Sequence, residues 1–186
     1  FWLSVLFVGT GLALGRSPAM LIKNMLPAYF TALGTMSSAA TIPVALQASK
    51  NNGVSHGIAN FTVPLCATIH LCSSTITLVT YATAVMFLSE HLAIPGYGTM
   101  LPFIMMLGVI MIAAPGAPGG GVMSALGLLT SMLGFGEASI ALMIALYLAQ
   151  DSFGTACNVT GDGVIALWAD RIAQSEAPMA APERDA

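Results

Sequence analysis

GVIMIAAPGAPGGGVMSALG, residues 108–127, decides how the chain folds. Its flanks are apolar, but the middle, Ala114 to Gly121, holds Pro115, Pro118 and four glycines. Proline removes a backbone donor and clashes with the preceding turn, and glycine costs about 1 kcal/mol against alanine inside a helix, so no continuous helix passes through. The apolar runs on either side, 99–114 and 122–133, each fall short of the roughly 20 residues that cross a bilayer. Two short helices meeting at a Pro/Gly tip make a re-entrant hairpin.

The same pattern recurs at GTMSSAATIP, residues 34–43, between the runs 18–34 and 43–50. Two longer apolar stretches, 57–89 and 138–169, can each cross with tilt, and the run 1–15 reads as the end of a further membrane helix of a longer protein. Hairpin then long helix therefore occurs twice, over 18–89 and 99–169, with the second unit entering from the opposite face. The expected fold is an all-α membrane protein of two inverted repeats, each a re-entrant helical hairpin followed by a discontinuous transmembrane helix. Residues 1–171 form the membrane unit and the polar, Pro/Ala-rich 172–186 a disordered tail. Irregular backbone at membrane depth must line a cavity to satisfy its polar groups, so two tips near the midplane imply a polar site, as in secondary transporters.

Charge tests that topology. With both hairpins re-entrant, Arg16, Lys23, Lys50, Arg171 and Arg184 fall on one side, and the other carries Glu90, His91 and Glu137 without Lys or Arg. The basic side, and with it the carboxy terminus, is expected to be cytoplasmic. Only 7% of residues are charged, against roughly a quarter in soluble domains, so the partner is the lipid bilayer. A net charge of −3 without a basic stripe excludes nucleic acid. Cys66, Cys72 and Cys157 are an odd number with no CxxC spacing, which gives neither a disulfide framework nor a metal motif.

In the last long stretch Asp151, Thr155, Asn158 and Asp162 are spaced by four, three and four residues. At about 100° per residue, eleven steps return to within about 20°, so the four share one face. A carboxylate near the bilayer centre costs at least roughly 2.5–3.5 kcal/mol, and no Lys or Arg lies within an apolar segment to offset two of them. Their partners are expected from outside the chain: metal ions, protons or a ligand ammonium. An aspartyl-protease dyad is excluded, because eleven residues at 1.5 Å rise separate the carboxylates by roughly 16 Å, too far to share one water; the chain is not read as an enzyme. In ATIHLCSST, residues 67–75, hydroxyls and a ring nitrogen can satisfy backbone groups where a helix unwinds. His70 there has two readings, a group bonded to the break or a ligand and proton carrier.

Taken together, these motifs resemble the dicarboxylate/amino acid:cation symporters, the glutamate-transporter family. Ser37, Ser38 and Pro43 match its SSS-x-TLP tip, PLCATIHLCSS (Pro64 to Ser74) its PLGATINMDGT, Pro118 to Gly121 its second tip, and NVTGD (Asn158 to Asp162) its last helix. The resemblance runs from about Gly15 to Arg171 and makes 1–171 the carboxy-terminal part of the transport domain. It implies sodium-coupled symport by an elevator movement against a trimeric scaffold, in a plasma or inner membrane, with no cofactor beyond the coupling ion. It implies a substrate site of Ser37, Ser38, Gly119, Asp151, Gly154, Thr155 and Asn158, with Asp151 on the ammonium and Asn158 on the carboxylate. It also implies a sodium site of Asp162 with carbonyls near Cys66, His70 and Asn158. His70 and Cys72 replace the family's asparagine and aspartate, which marks them as a proton or coupling site. Gly154 replaces the arginine that reads an acidic side chain, and Met36 an arginine sometimes found at the first tip. A neutral amino acid is therefore the expected substrate; the alternatives are a dicarboxylate or acidic amino acid, or a relative unable to transport.

Overall fold

A computed structural model describes residues 1–176 as eight α-helices: α1 (Trp2–Leu14), α2 (Pro18–Thr35), α3 (Ser38–Asn51), α4 (His56–Ile69), α5 (Cys72–Leu88), α6 (Tyr97–Met111), α7 (Gly120–Leu133) and α8 (Glu137–Glu176). No strand occurs among the described residues. The all-α expectation holds. So do both hairpins, α2–α3 and α6–α7, each followed by a long apolar segment, 56–88 and 137–175, of spanning length.

The first tip is tighter than expected. Its second arm starts at Ser38 rather than near Pro43, which lies inside α3. Ser37 is the reason: in extended backbone, its Oγ accepts the Ala40 N–H at 3.2 Å and caps the helix five residues early. Met36 completes the turn at φ 51°, a left-handed conformation unusual for a bulky residue. At the second tip Gly119 takes φ 73° and starts α7.

The two long segments differ, which corrects the expectation that both are discontinuous. The first breaks at His70–Leu71, whereas α8 is one uninterrupted 40-residue helix. Nothing between Glu137 and Glu176 is proline, and the Asp151, Asn158, Asp162 and Asp170 side chains bond outward to other elements, so the helix's own ladder stays intact. The helix also runs five residues into the expected tail: the Gln174 side chain donates to Asp170 at 2.7 Å and the Ser175 hydroxyl to the Ile172 carbonyl at 2.7 Å. Residues 177–186, with Arg184, lie outside the described residues.

Contacts along α8 give the hairpins their opposed directions. Near its carboxy-terminal end, buried Asp170 accepts the Ser55 N–H at 3.1 Å, just beyond the base of α3. The same base is tied to α2, with Asn24 donating to Asn52 Oδ1 at 2.9 Å, Asn52 donating to the Leu21 carbonyl at 3.0 Å, and Arg16 donating to the Asn52 carbonyl. Arg16 and Arg171 line one cleft there with Asp170, in keeping with a basic end. At the amino-terminal end of α8, Ala138, Ser139 and Leu142 border the end of α5. Between the ends, Asp151 meets the tip of the second hairpin. The apolar core divides accordingly. One cluster joins α5, α6, α7 and the start of α8 through Phe103, Leu129, Met143 and Tyr147; the other joins α1 to α4 and the later part of α8 through Phe7, Met25, Val63 and Val159. The polar stripe of α8 lies where they adjoin.

Candidate functional site

The break in the first long segment is braced by α8. Where α4 stops, the N–H groups opening α5 lose their helical partners, and the Asn158 side chain supplies one: its Oδ1 accepts the Ser73 N–H at 2.8 Å. Its Nδ2 donates to Ser74 Oγ at 2.9 Å. Both ends of this buried amide are thus committed to the break, 85 residues away in sequence.

Beside the break the two tips meet. Ser37 Oγ donates to the Gly116 carbonyl at 2.9 Å, and the Ala39 N–H approaches the same oxygen at 3.4 Å. Asp151, 5% exposed, accepts the Gly119 N–H on Oδ2 at 2.7 Å, fastening the second tip to α8. Between them lies a cavity of about 10 Å³ lined by Ser38, Ser74, Gly121, Tyr147, Asp151 and Thr155, with Leu71 and the Pro115–Ala117 backbone completing the wall. Ser38, Ser74 and Gly121 stand in the first turns of α3, α5 and α7, so three helix N-termini converge on one space. Each carries roughly half a positive charge, and together they suit a carboxylate; the Asp151 carboxylate suits an ammonium. The lining holds one acid and no basic side chain.

One helical turn beyond Asn158, Asp162 is 2% exposed and its Oδ1 lies 2.8 Å from Nδ1 of His70. Each aspartate of the stripe also has a hydrogen-bond partner within the chain. Asp162 finds an imidazole and Asp151 a backbone N–H, both from elements remote in sequence. The Cys66 carbonyl, expected to face a cation, accepts the His70 N–H at 2.8 Å. Cys72 is a half-buried free thiol on the first residue of α5.

With that geometry, similarity to known proteins becomes informative. A family model described as the sodium:dicarboxylate symporter family matches residues 1–172. The chain belongs to this family. It is 31% identical over 163 residues to excitatory amino acid transporter 1 of Rattus norvegicus, covering 87% of this chain and 29% of that protein. It is 31% identical over 153 residues to excitatory amino acid transporter 5 of Homo sapiens, covering 81% and 27%. An excitatory amino acid transporter of Caenorhabditis elegans is 28% identical over 154 residues, covering 80% and 29%. The chain thus spans less than a third of the length of these relatives.

In this member of the family the expected substrate residues do not all reach the cavity. Ser38, Asp151 and Thr155 line it. Ser37 bonds tip to tip, Gly119 ties the second tip to α8, Asn158 braces the break, and Gly154 is buried with its open side toward Ser74 Oγ, 3.9 Å from where a Cβ would stand. Tyr147 was missed by sequence reasoning although it lies four residues before Asp151, the same interval that spaces the stripe. Its hydroxyl presses on Gly121 closely enough that a Cβ there would collide with it.

Proposed function

We propose that the chain carries the substrate and cation sites of a sodium-coupled symporter for a neutral amino acid. One observation carries this reading: the cavity between the tips is walled by a single carboxylate and three helix N-termini, with no basic side chain. The substrate ammonium binds Asp151, whose carboxylate can accept about four hydrogen bonds and has spent one on Gly119. The α-carboxylate lies at the N-termini, beside Ser38. Sodium takes oxygen ligands from Asp162 and the carbonyls of Cys66, His70 and Asn158, the donor type a hard cation prefers. A volume of about 10 Å³ matches about one water, so an amino acid enters only when the tips part. Family resemblance further supports an elevator movement, a homotrimer, a plasma or inner membrane setting and a cytoplasmic carboxy terminus.

Charge decides between neutral and acidic substrates. A second carboxylate left unpaired in this site costs several kcal/mol, and neither Gly154 nor Met36 offers it a cation. The family's description and its excitatory amino acid transporter relatives favour the second reading, an acidic amino acid or dicarboxylate. Uptake by the full-length protein in proteoliposomes tests both, with sodium and proton gradients imposed separately. Serine, threonine, alanine or leucine should compete for sodium-driven uptake while aspartate and glutamate do not. Competition by the acidic pair alone overturns the neutral assignment, and absence of any uptake favours a relative unable to transport.

A further inference from the structure

We propose that His70 is an internal competitor for the cation at Asp162: sodium binds there only after the imidazole has left. The inference rests on the sodium reading above and adds what sets the affinity of that site. The ring of His70 engages the one side-chain carboxylate among the oxygen-bearing residues of that site, its Nδ1 lying 2.8 Å from Oδ1 of Asp162. An oxygen lone pair directed at a ring nitrogen is not also directed at a metal ion, so sodium must displace the ring to gain Oδ1 of Asp162.

The ring has a built seat. Gly161, next to Asp162, faces it without a side chain, and a Cβ at that position would stand 2.9 Å from Cε1 of His70. It also has a way out. His70 caps α4 in non-helical backbone (φ −99°, ψ 82°) and remains 19% exposed in its side chain, whereas Asp162 is 2% exposed. Side-chain rotation frees Asp162 without disturbing either helix. Competition of this kind lowers sodium affinity without altering the amino-acid cavity, because His70 is absent from its lining.

Two variants test it in the purified full-length protein. His70→Ala removes the ring and supplies no new ligand; Gly161→Ala leaves the ring but fills its seat. Sodium binding by calorimetry, and the sodium concentration for half-maximal uptake, should tighten roughly tenfold in both, the scale of losing one hydrogen bond to a charged group. In Gly161→Ala, amino-acid half-saturation at saturating sodium should stay at the wild-type value, a split that general damage to the fold would not produce. Sodium affinity unchanged or weakened in both variants, with wild-type binding sodium, overturns the competition alone. No sodium binding in wild type or either variant overturns the sodium reading, and the competition with it.

Discussion

Asp151 and Asp162 sit on one helix face, yet the two carboxylates have different neighbours and different work. Asp151 meets the second tip and opens onto the cavity; Asp162 meets an imidazole. Asp151→Asn keeps an oxygen for the Gly119 N–H but loses the charge proposed above to hold an ammonium. Breaking one side of a buried ion pair costs about 3–5 kcal/mol, so amino-acid affinity should fall by at least about a hundredfold while thermal stability hardly changes. Equilibrium binding to the full-length protein checks this, and an unchanged affinity removes Asp151 from the ammonium site. The spacing of four, three and four made the stripe legible in the sequence, because helical periodicity is local. Its partners were not legible. Asn158 bonds across 85 residues and Asp162 across 92, and no local pattern encodes which distant element a side chain meets. For Asn158, matching a motif pointed to the substrate carboxylate, while its hydrogen bonds tie it to the break.

Among the elements, the hairpins were readable because proline and glycine punctuate helices by sterics alone. Their edges were less so: Pro43 marked where α3 was expected to begin, yet a serine cap five residues earlier outweighed it. The second long helix shows the converse, since polar residues alone do not break a helix when their side chains find partners elsewhere. Packing between α7 and α8 leads to a paired prediction. Gly121→Ala drives a methyl into the Tyr147 hydroxyl and should hold the second tip away from Asp151. Substrate affinity should drop about tenfold, on the scale of 1–3 kcal/mol for overpacking. Tyr147→Phe removes the colliding oxygen and should restore part of the loss in the double variant. A double-mutant cycle of substrate binding reads the coupling, and additive losses would show that the two residues act separately.

Across the whole molecule, two apolar clusters adjoin at a polar middle; the base of the first hairpin is tied to the carboxy-terminal end of α8, and the second hairpin, ending at Leu133, leads directly into its amino-terminal end at Glu137. Composition announced a membrane protein, and the alternation of hairpin and long helix announced its plan and two tips near the midplane; the bond that joins those tips came only with the structure. That meeting has a thermodynamic consequence. The bond from Ser37 Oγ to the Gly116 carbonyl joins tip to tip and involves neither base. Parting the tips breaks it whichever side of the membrane is uncovered, so its free energy enters both openings equally and cancels from their ratio. It remains in how readily the closed state opens at all. Ser37→Ala should therefore speed opening toward each side by a common factor of about five, from a hydrogen bond worth about 1 kcal/mol. The balance between the two openings should be untouched, as single-molecule fluorescence of labelled tips would read. Directional bias is then a property of the bases, with their arginine and asparagine ties on one side and apolar packing on the other.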